Sequence, residues 1–281
     1  MKMIELVKLA RLSQWIKNLM LFFPPFLGGV FVWPGSLTRG ALPFAAFCCA
    51  SSSVYIFNDI IDFQHDREHP DKRNRPIPSG AVSIPSAMWL SGSFLIGAVL
   101  TGFLVSVPFL YLVVAYLSVS AWYTLRLKHL PLFDIFCISS GFVFRLLAGG
   151  EAFGIVISDW LFLSVFLLSL FLSTGKRLCE KNRLGAEAGQ HRKALLLYPA
   201  GFLEGAMYLT GGVVLVTYTM YVISRHTLIY TVPLCCFGLL RYILRVQSGN
   251  GGDPTESLLK DPLLFMIGLV WVVMVAGAIY G

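Results

Sequence analysis

Charge is scarce in this chain of 281 residues: Asp, Glu, Lys and Arg make up only 13%, against about 25% in an average soluble domain. With 56% hydrophobic residues and a mean hydropathy of +0.72, that scarcity excludes an ordinary soluble enzyme, a disordered chain and a nucleic-acid-binding domain. Paired thiols are missing too. Cys48, Cys49, Cys137, Cys179, Cys235 and Cys236 form no CxxC or CxxH spacing, so neither a metal–thiolate site nor a disulfide framework is assigned. Ser173-Thr174-Gly175-Lys176 resembles the end of a P-loop, but Leu170 stands where a glycine is needed. No HExxH occurs, and His65, His69, His129, His191 and His226 are expected in loops or at helix ends. The N-terminus lacks the short apolar core and small-residue cleavage site of a signal peptide.

Long apolar runs are abundant. Nine candidate spans are read at about 17–33, 41–63, 84–104, 108–125, 132–152, 159–175, 200–222, 228–245 and 262–279. Runs of this length select helices over the alternating segments of a barrel. The expectation is an all-α membrane protein lying in the bilayer as one domain, 1–281. Residues 84–125 must turn once, and Ser106-Val107-Pro108 is the best place. The N-terminal stretch reads as an amphipathic helix on the membrane surface, with Ile4, Leu6, Val7, Leu9 and Leu12 as its apolar component. With the N-terminus inside, all of the 22 Lys and Arg residues except Arg39, Arg145 and Arg225 fall in or beside inside loops. That asymmetry predicts an odd span number and a cytoplasmic N-terminus in a plasma (inner) membrane.

The most informative stretch runs from Ser53 to Gly80. Asp59, Asp62 and Asp66 recur at spacings of three and four, within about 60° of one another on a helix. Asn58 leads the same stripe. Stacked carboxylates repel, and at the end of a membrane helix they are costlier still. Arg67, Lys72, Arg73 and Arg75 follow closely, so a purely structural arrangement would pair each Asp with a cation. The functional reading is a Mg²⁺ site made by Asn58, Asp59, Asp62 and Asp66, with the basic residues neutralising a diphosphate. Acids for metal and bases for phosphate at a membrane surface imply a phosphorylated substrate.

The pattern N-D-x-x-D-x-x-x-D, followed by a Lys/Arg- and Pro-rich loop, resembles the UbiA superfamily of membrane prenyltransferases. That resemblance implies a nine-helix bundle. Leu12-Ser13-Gln14-Trp15-Ile16-Lys17-Asn18, the loop from Asp66 to Gly80 and Ser139 to Gly150 are most similar to the decaprenyl-phosphate phosphoribosyltransferase branch. Prenyl-transferring members carry a second acidic motif, D-x-x-x-D. Here the corresponding stretch from Tyr123 to Asp134 retains only Asp134 and contains Arg126 and Lys128.

The resemblance implies transfer of 5-phosphoribose from its diphosphate donor (PRPP) to a polyprenyl phosphate. A phosphorylated sugar donor and a polyprenyl-phosphate lipid are thus the implied partners, in a lipid bilayer and without nucleic acid. Lys17, Asn18, Tyr123 and Lys128 are implied substrate contacts. Lys17 and Asn18 read equally as an interfacial anchor, and Lys128 as ordinary inside-loop charge. Lys176, Arg177 and Glu180 are implied phosphate contacts or positive-inside anchors. Asp134 either orients a ribose hydroxyl or binds metal. Arg145 lies roughly 16 Å into the fifth span, where burial costs at least about 2.5–3.5 kcal/mol; it binds the lipid phosphate or pairs with an acid. The alternatives are prenyl transfer from a polyprenyl diphosphate to an aromatic acceptor of the 4-hydroxybenzoate type, which the reduced second motif disfavours, and a transporter, which would place more ionisable groups at the midplane.

Overall fold

A computed structural model describes residues 3–32, 34–68, 72–184, 193–223, 226–249 and 251–281. His69, His191 and Arg225, and Pro70 and Asp71 of the basic loop, lie outside these described residues. The described residues form helices and no strand. They divide into two compact units: Met1–Pro25, Val30–Lys128 and Phe144–Val156, and then Phe26–Gly29, His129–Val143 and Ile157–Gly281.

Unit one begins with α1 (Met3–Ala10), a 3-10 run (Leu12–Phe22) and the start of α2 (Phe23–Leu27). Leu9 of α1 packs with Ile56, Ile77, Val82 and Ala87, while Ile4 and Val7 stay exposed. One side of the helix thus meets protein and the other is left for lipid. The expected span 17–33 is not a single helix. Its tight 3-10 geometry gives way at Phe23 to a five-residue helix containing Pro24 and Pro25, which remove consecutive backbone donors. Eight described helices are long and apolar enough to cross a membrane; the first of the nine expected spans is not among them as a single helix.

The next helices of unit one are α3 (Ser36–Ile61), α4 (Phe63–Glu68), α5 (Ile84–Val105) and α6 (Val107–Leu125). Small residues on α3 let α5 approach closely. Ser53 Oγ donates to Ser91 O at 3.0 Å, and Ser91 Oγ donates to Ser53 O at 3.1 Å. The turn expected near Pro108 is a single extended residue, Ser106 (φ −170°, ψ 160°), whose hydroxyl accepts from Phe109 N. α7 (Phe133–Phe153) supplies Phe144–Phe153 to this unit. A Cβ on Gly149 would stand 2.3 Å from the carbonyl oxygen of Leu21; only glycine lets the 3-10 run lie this close to α7.

Unit two contains the first half of α7, α8 (Asp159–Leu184), α9 (Lys193–Leu197), α10 (Phe202–Ile223), α11 (Val232–Gln247), α12 (Pro254–Lys260) and α13 (Pro262–Tyr280). Its core joins Leu170, Phe171 and Leu178 to Leu203, Met207 and Val214. Asp261 accepts from the backbone N–H groups of Leu263 and Leu264 and from Arg241 and Arg245. Burial alone would raise its pKa, but these donors outweigh it and hold the carboxyl at about 2.

Candidate active site

α3 ends at Ile61, and Asp62 caps it with φ −91° and ψ 1°. α4 restarts at Phe63 and carries Asp66. The i to i−4 ladder nevertheless runs through this break, Asp62 N donating to Asn58 O and Asp66 N to Asp62 O, each at 2.9 Å. Asp59 (2% exposed) and Asp66 (3% exposed) point inward, whereas Asp62 is half-buried and pairs with Lys128. Among the described residues no three His, Cys, Asp or Glu side chains gather to hold an ion. Asp59 and Asp66 are thus the buried members of the acidic stripe, and Asp62 is the member partnered by Lys128.

The loop that follows folds back over the pair. Arg75 N donates to Lys72 O at 3.0 Å, Ser79 N to Arg75 O at 3.0 Å, and Val82 N to Pro76 O at 2.9 Å. Pro76, Ile77 and Pro78 are buried beneath it. Arg75 Nη1 then reaches Asp59 Oδ1 at 3.1 Å and Asp66 Oδ2 at 2.7 Å, and Lys72 Nζ lies 3.6 Å from Asp66 Oδ1. Of the four cations named from the sequence, these two pair with the acids; Arg67 and Arg73 are exposed. Asn58 is half-buried, and its carbonyl accepts from Asp62 N at 2.9 Å.

A further cation was not expected. Arg11 donates to Asp59 Oδ1 at 2.5 Å and stacks over the Tyr55 ring at 5.0 Å. It sits between α1 and the 3-10 run in the left-handed region (φ 51°, ψ 50°), an uncommon conformation for a residue with a Cβ. Ser52 holds this corner, its hydroxyl accepting from Trp15 Nε1 at 3.0 Å and donating to Ala10 O at 2.8 Å. No sequence signal marked Arg11, because its partner is 48 residues away.

Asn18 and Arg145 meet deep in unit one. Arg145 (4% exposed) donates through Nε to Asn18 Oδ1 at 2.7 Å and through Nη2 to Tyr116 Oη at 3.2 Å. Its guanidinium also lies over the Tyr116 and Phe47 rings, at 4.8 and 5.8 Å. Asn18 is fully buried and directs its amide to Ser51 Oγ and Cys48 Sγ. Gly149 and Leu21, one turn along from Arg145 and Asn18, make the close contact that fixes this pair. Lys17 and Tyr123 are half-buried.

In unit two, Asp134 is fully buried and receives Arg177 Nε at 2.8 Å and Tyr198 Oη at 2.6 Å. Tyr198 accepts from Leu132 N at 2.7 Å, and Arg177 Nη1 reaches Glu180 at 2.7 Å. Burial, reinforced by the bond to Asp134, pushes the Tyr198 phenol well above its ordinary value. Lys176 donates to Asp253 at 2.7 Å. Asp134, Lys176 and Arg177 thus each have carboxylate or cation partners within their own unit.

Comparison with known proteins gives consistent relationships. The profile of the UbiA prenyltransferase family matches residues 22–270. A decaprenyl-phosphate phosphoribosyltransferase of Mycolicibacterium smegmatis is 32% identical, over 98% of this chain and 92% of that protein. One of the same name from Corynebacterium glutamicum is 31% identical, over 98% of this chain and 86% of that protein. Among solved structures, a UbiA homolog from Archaeoglobus fulgidus bound to GPP and Mg²⁺ superposes with a TM-score of 0.74, at 18% identity, covering 99% of this chain and 100% of that one. This last likeness is one of fold.

Proposed function

Because the chain belongs to the UbiA prenyltransferase family, we propose from that premise that it is a membrane transferase moving 5-phosphoribose from PRPP to a polyprenyl phosphate, with release of pyrophosphate. The observation that carries the reading is the cationic surplus around the acidic pair: Arg11, Lys72, Arg75 and Lys128 all contact Asp59, Asp62 or Asp66. Such a surplus suits a donor and acceptor that together bear several phosphates. The relatives named decaprenyl-phosphate phosphoribosyltransferase support the same donor and acceptor.

Two buried carboxylates converging on one point fit a divalent ion that keeps waters and substrate phosphates in its shell. Asp59 and Asp66 would hold Mg²⁺, with Asp62 and the Asn58 side-chain amide oxygen as adjoining oxygen donors. The ion would neutralise the diphosphate and make it a better leaving group. Around it, Arg11, Arg67, Lys72, Arg73 and Arg75 align the donor phosphates, and Lys128 balances the charge of Asp62.

The ribose C1–O bond to diphosphate breaks, and pyrophosphate carries away the electron pair. An oxygen of the lipid phosphate forms the new bond to C1. The acceptor is already an anion, so no general base is required, and alignment and charge neutralisation supply the catalysis. Arg145, oriented by Asn18 and Tyr116, receives the lipid phosphate; Lys17 and Tyr123 line its approach. Within unit two, Asp134 with Arg177, and Lys176 with Asp253, are read by themselves as candidate phosphate-site pairs. The same proposal takes 1–281 as one transmembrane domain, supported by a family match that runs through both units. It puts the N-terminus and the acidic pair on the cytoplasmic face of the plasma membrane, supported by the distribution of Lys and Arg.

The test is incubation of the purified protein with radiolabelled PRPP and polyprenyl phosphate, with Mg²⁺ or with chelator. Wild type should place label in the lipid fraction only with the metal, and Asp66→Asn should not. Release of pyrophosphate from a prenyl diphosphate and an aromatic acceptor, with none from PRPP, would overturn the reading in favour of prenyl transfer.

A further inference from the structure

The two buried carboxylates share one nitrogen. Asp59 Oδ1 and Asp66 Oδ2 both lie within hydrogen-bond distance of Arg75 Nη1, at 3.1 and 2.7 Å. That nitrogen therefore marks the point on which both oxygens converge. Mg²⁺ binds its oxygens at about 2.0–2.1 Å, so an ion at the same point needs each carboxylate to close in by about 1 Å or less. A guanidinium and a divalent cation cannot both occupy it.

The backbone of Arg75 is anchored on both sides, by its N–H to Lys72 O and its carbonyl to Ser79 N. Pro76 fixes the next φ, and Ile77 is buried. The side chain itself is 29% exposed. The guanidinium is thus free to pivot outward while the loop stays in place.

Resting on the function proposed above, we propose that Arg75, the counter-ion that Asp59 and Asp66 share beside Arg11 on the one and Lys72 on the other, is exchanged for the divalent cation when that ion arrives with diphosphate. Two carboxylates so close repel unless a cation lies between them. Arg75 supplies one positive charge there and the ion supplies two, so exchange is favoured once the displaced guanidinium has a partner of its own. Diphosphate is that partner, since a planar fork of donors matches phosphate oxygens bidentately. Ion and diphosphate then bind cooperatively through Arg75. The ion alone must displace the arginine without compensation, whereas the ion with diphosphate gives the arginine a new anion. By linkage, each raises the affinity of the other by the same factor.

The experiment is Mn²⁺ binding to the purified full chain, followed by electron paramagnetic resonance, with and without pyrophosphate. Wild type should bind Mn²⁺ weakly alone and about tenfold or more tightly with pyrophosphate, within the usual range of coupling between sites. Arg75→Gln should bind Mn²⁺ alone about tenfold more tightly than wild type and lose most of the pyrophosphate effect. Arg126→Gln removes a charge from an exposed arginine outside the carboxylate cluster and should behave as wild type. Arg75→Lys, which keeps a charge but not the fork, should fall between wild type and Arg75→Gln, and it carries the test if the glutamine variant does not fold. Equal or weaker Mn²⁺ affinity in the Arg75 variants, with wild-type binding intact, overturns the exchange alone. Mn²⁺ binding that survives Asp66→Asn overturns the metal assignment beneath it.

Discussion

Replacing Gly149 by alanine adds one methyl group at the closest backbone approach in unit one. That Cβ would lie 2.3 Å from Leu21 O, 2.9 Å from Leu21 C and 3.0 Å from Leu21 Cα. Every neighbour is backbone, so no side chain can rotate away, and the two segments must separate by about 1 Å. Overpacking of this kind costs about 1–3 kcal/mol. The separation also stretches the Arg145–Asn18 bond, now 2.7 Å, beyond useful range, and a lost bond to a charged group costs about 1.5–3 kcal/mol. Against this, alanine is favoured over glycine in a helix by about 1 kcal/mol. The clash and the lost bond outweigh the propensity gain, leaving about 1.5–5 kcal/mol of destabilisation and a Tm lower by about 3–20 °C. Thermal melts in detergent measure it, with Gly92→Ala as the control, since that position has open space. A Gly149→Ala protein melting at or above wild type would refute both the close approach and its role in setting Asn18 against Arg145.

Two further outcomes follow from side-chain pairings. Lys128→Met leaves Asp62 without its cation and adds a negative charge where the proposed function docks the donor phosphates; KM for PRPP should rise at least about tenfold, about 1.4 kcal/mol or more of lost binding, while Tm changes little because Asp62 can reach water. Asp261→Asn should lower stability by about 3 kcal/mol near neutral pH, as loss of one partner of a buried ion pair does. Because the folded pKa of Asp261 is depressed from 3.8 to about 2, its contribution is complete above pH 4 and is lost as pH falls toward 2. Melts between pH 7 and pH 3 should show the wild-type advantage over Asp261→Asn shrinking only at the acid end.

Much of this architecture follows from local pattern. The α5–α6 turn was legible because Ser106 and Pro108 are a capping residue and a first-turn residue placed between two apolar runs. The acidic pair and its basic loop were legible because a helical period brings Asp59 and Asp66 to one side. Periodicity does not record where a helix stops, however. α3 stops at Ile61 and α4 restarts at Phe63, although the i to i−4 bonds run on through Asp62. The first span failed as a single helix for a related reason: apolar length was present, but two prolines and a 3-10 run broke it. Arg11 and Tyr116 escaped notice because their contacts join distant segments. The same holds for Asp134, whose partners Arg177 and Tyr198 are 43 and 64 residues away.

The loop 72–82 is knitted by its own backbone bonds, Arg75 N to Lys72 O, Ser79 N to Arg75 O and Val82 N to Pro76 O. Holding a residue in one conformation costs about 1–2 kcal/mol, and here that ordering is met during folding rather than at each encounter. An arriving anion therefore finds its cations already mounted, with side-chain rotation as the main adjustment left. Capture of this kind is governed by long-range attraction, so its rate should fall steeply as added salt shortens the Debye length.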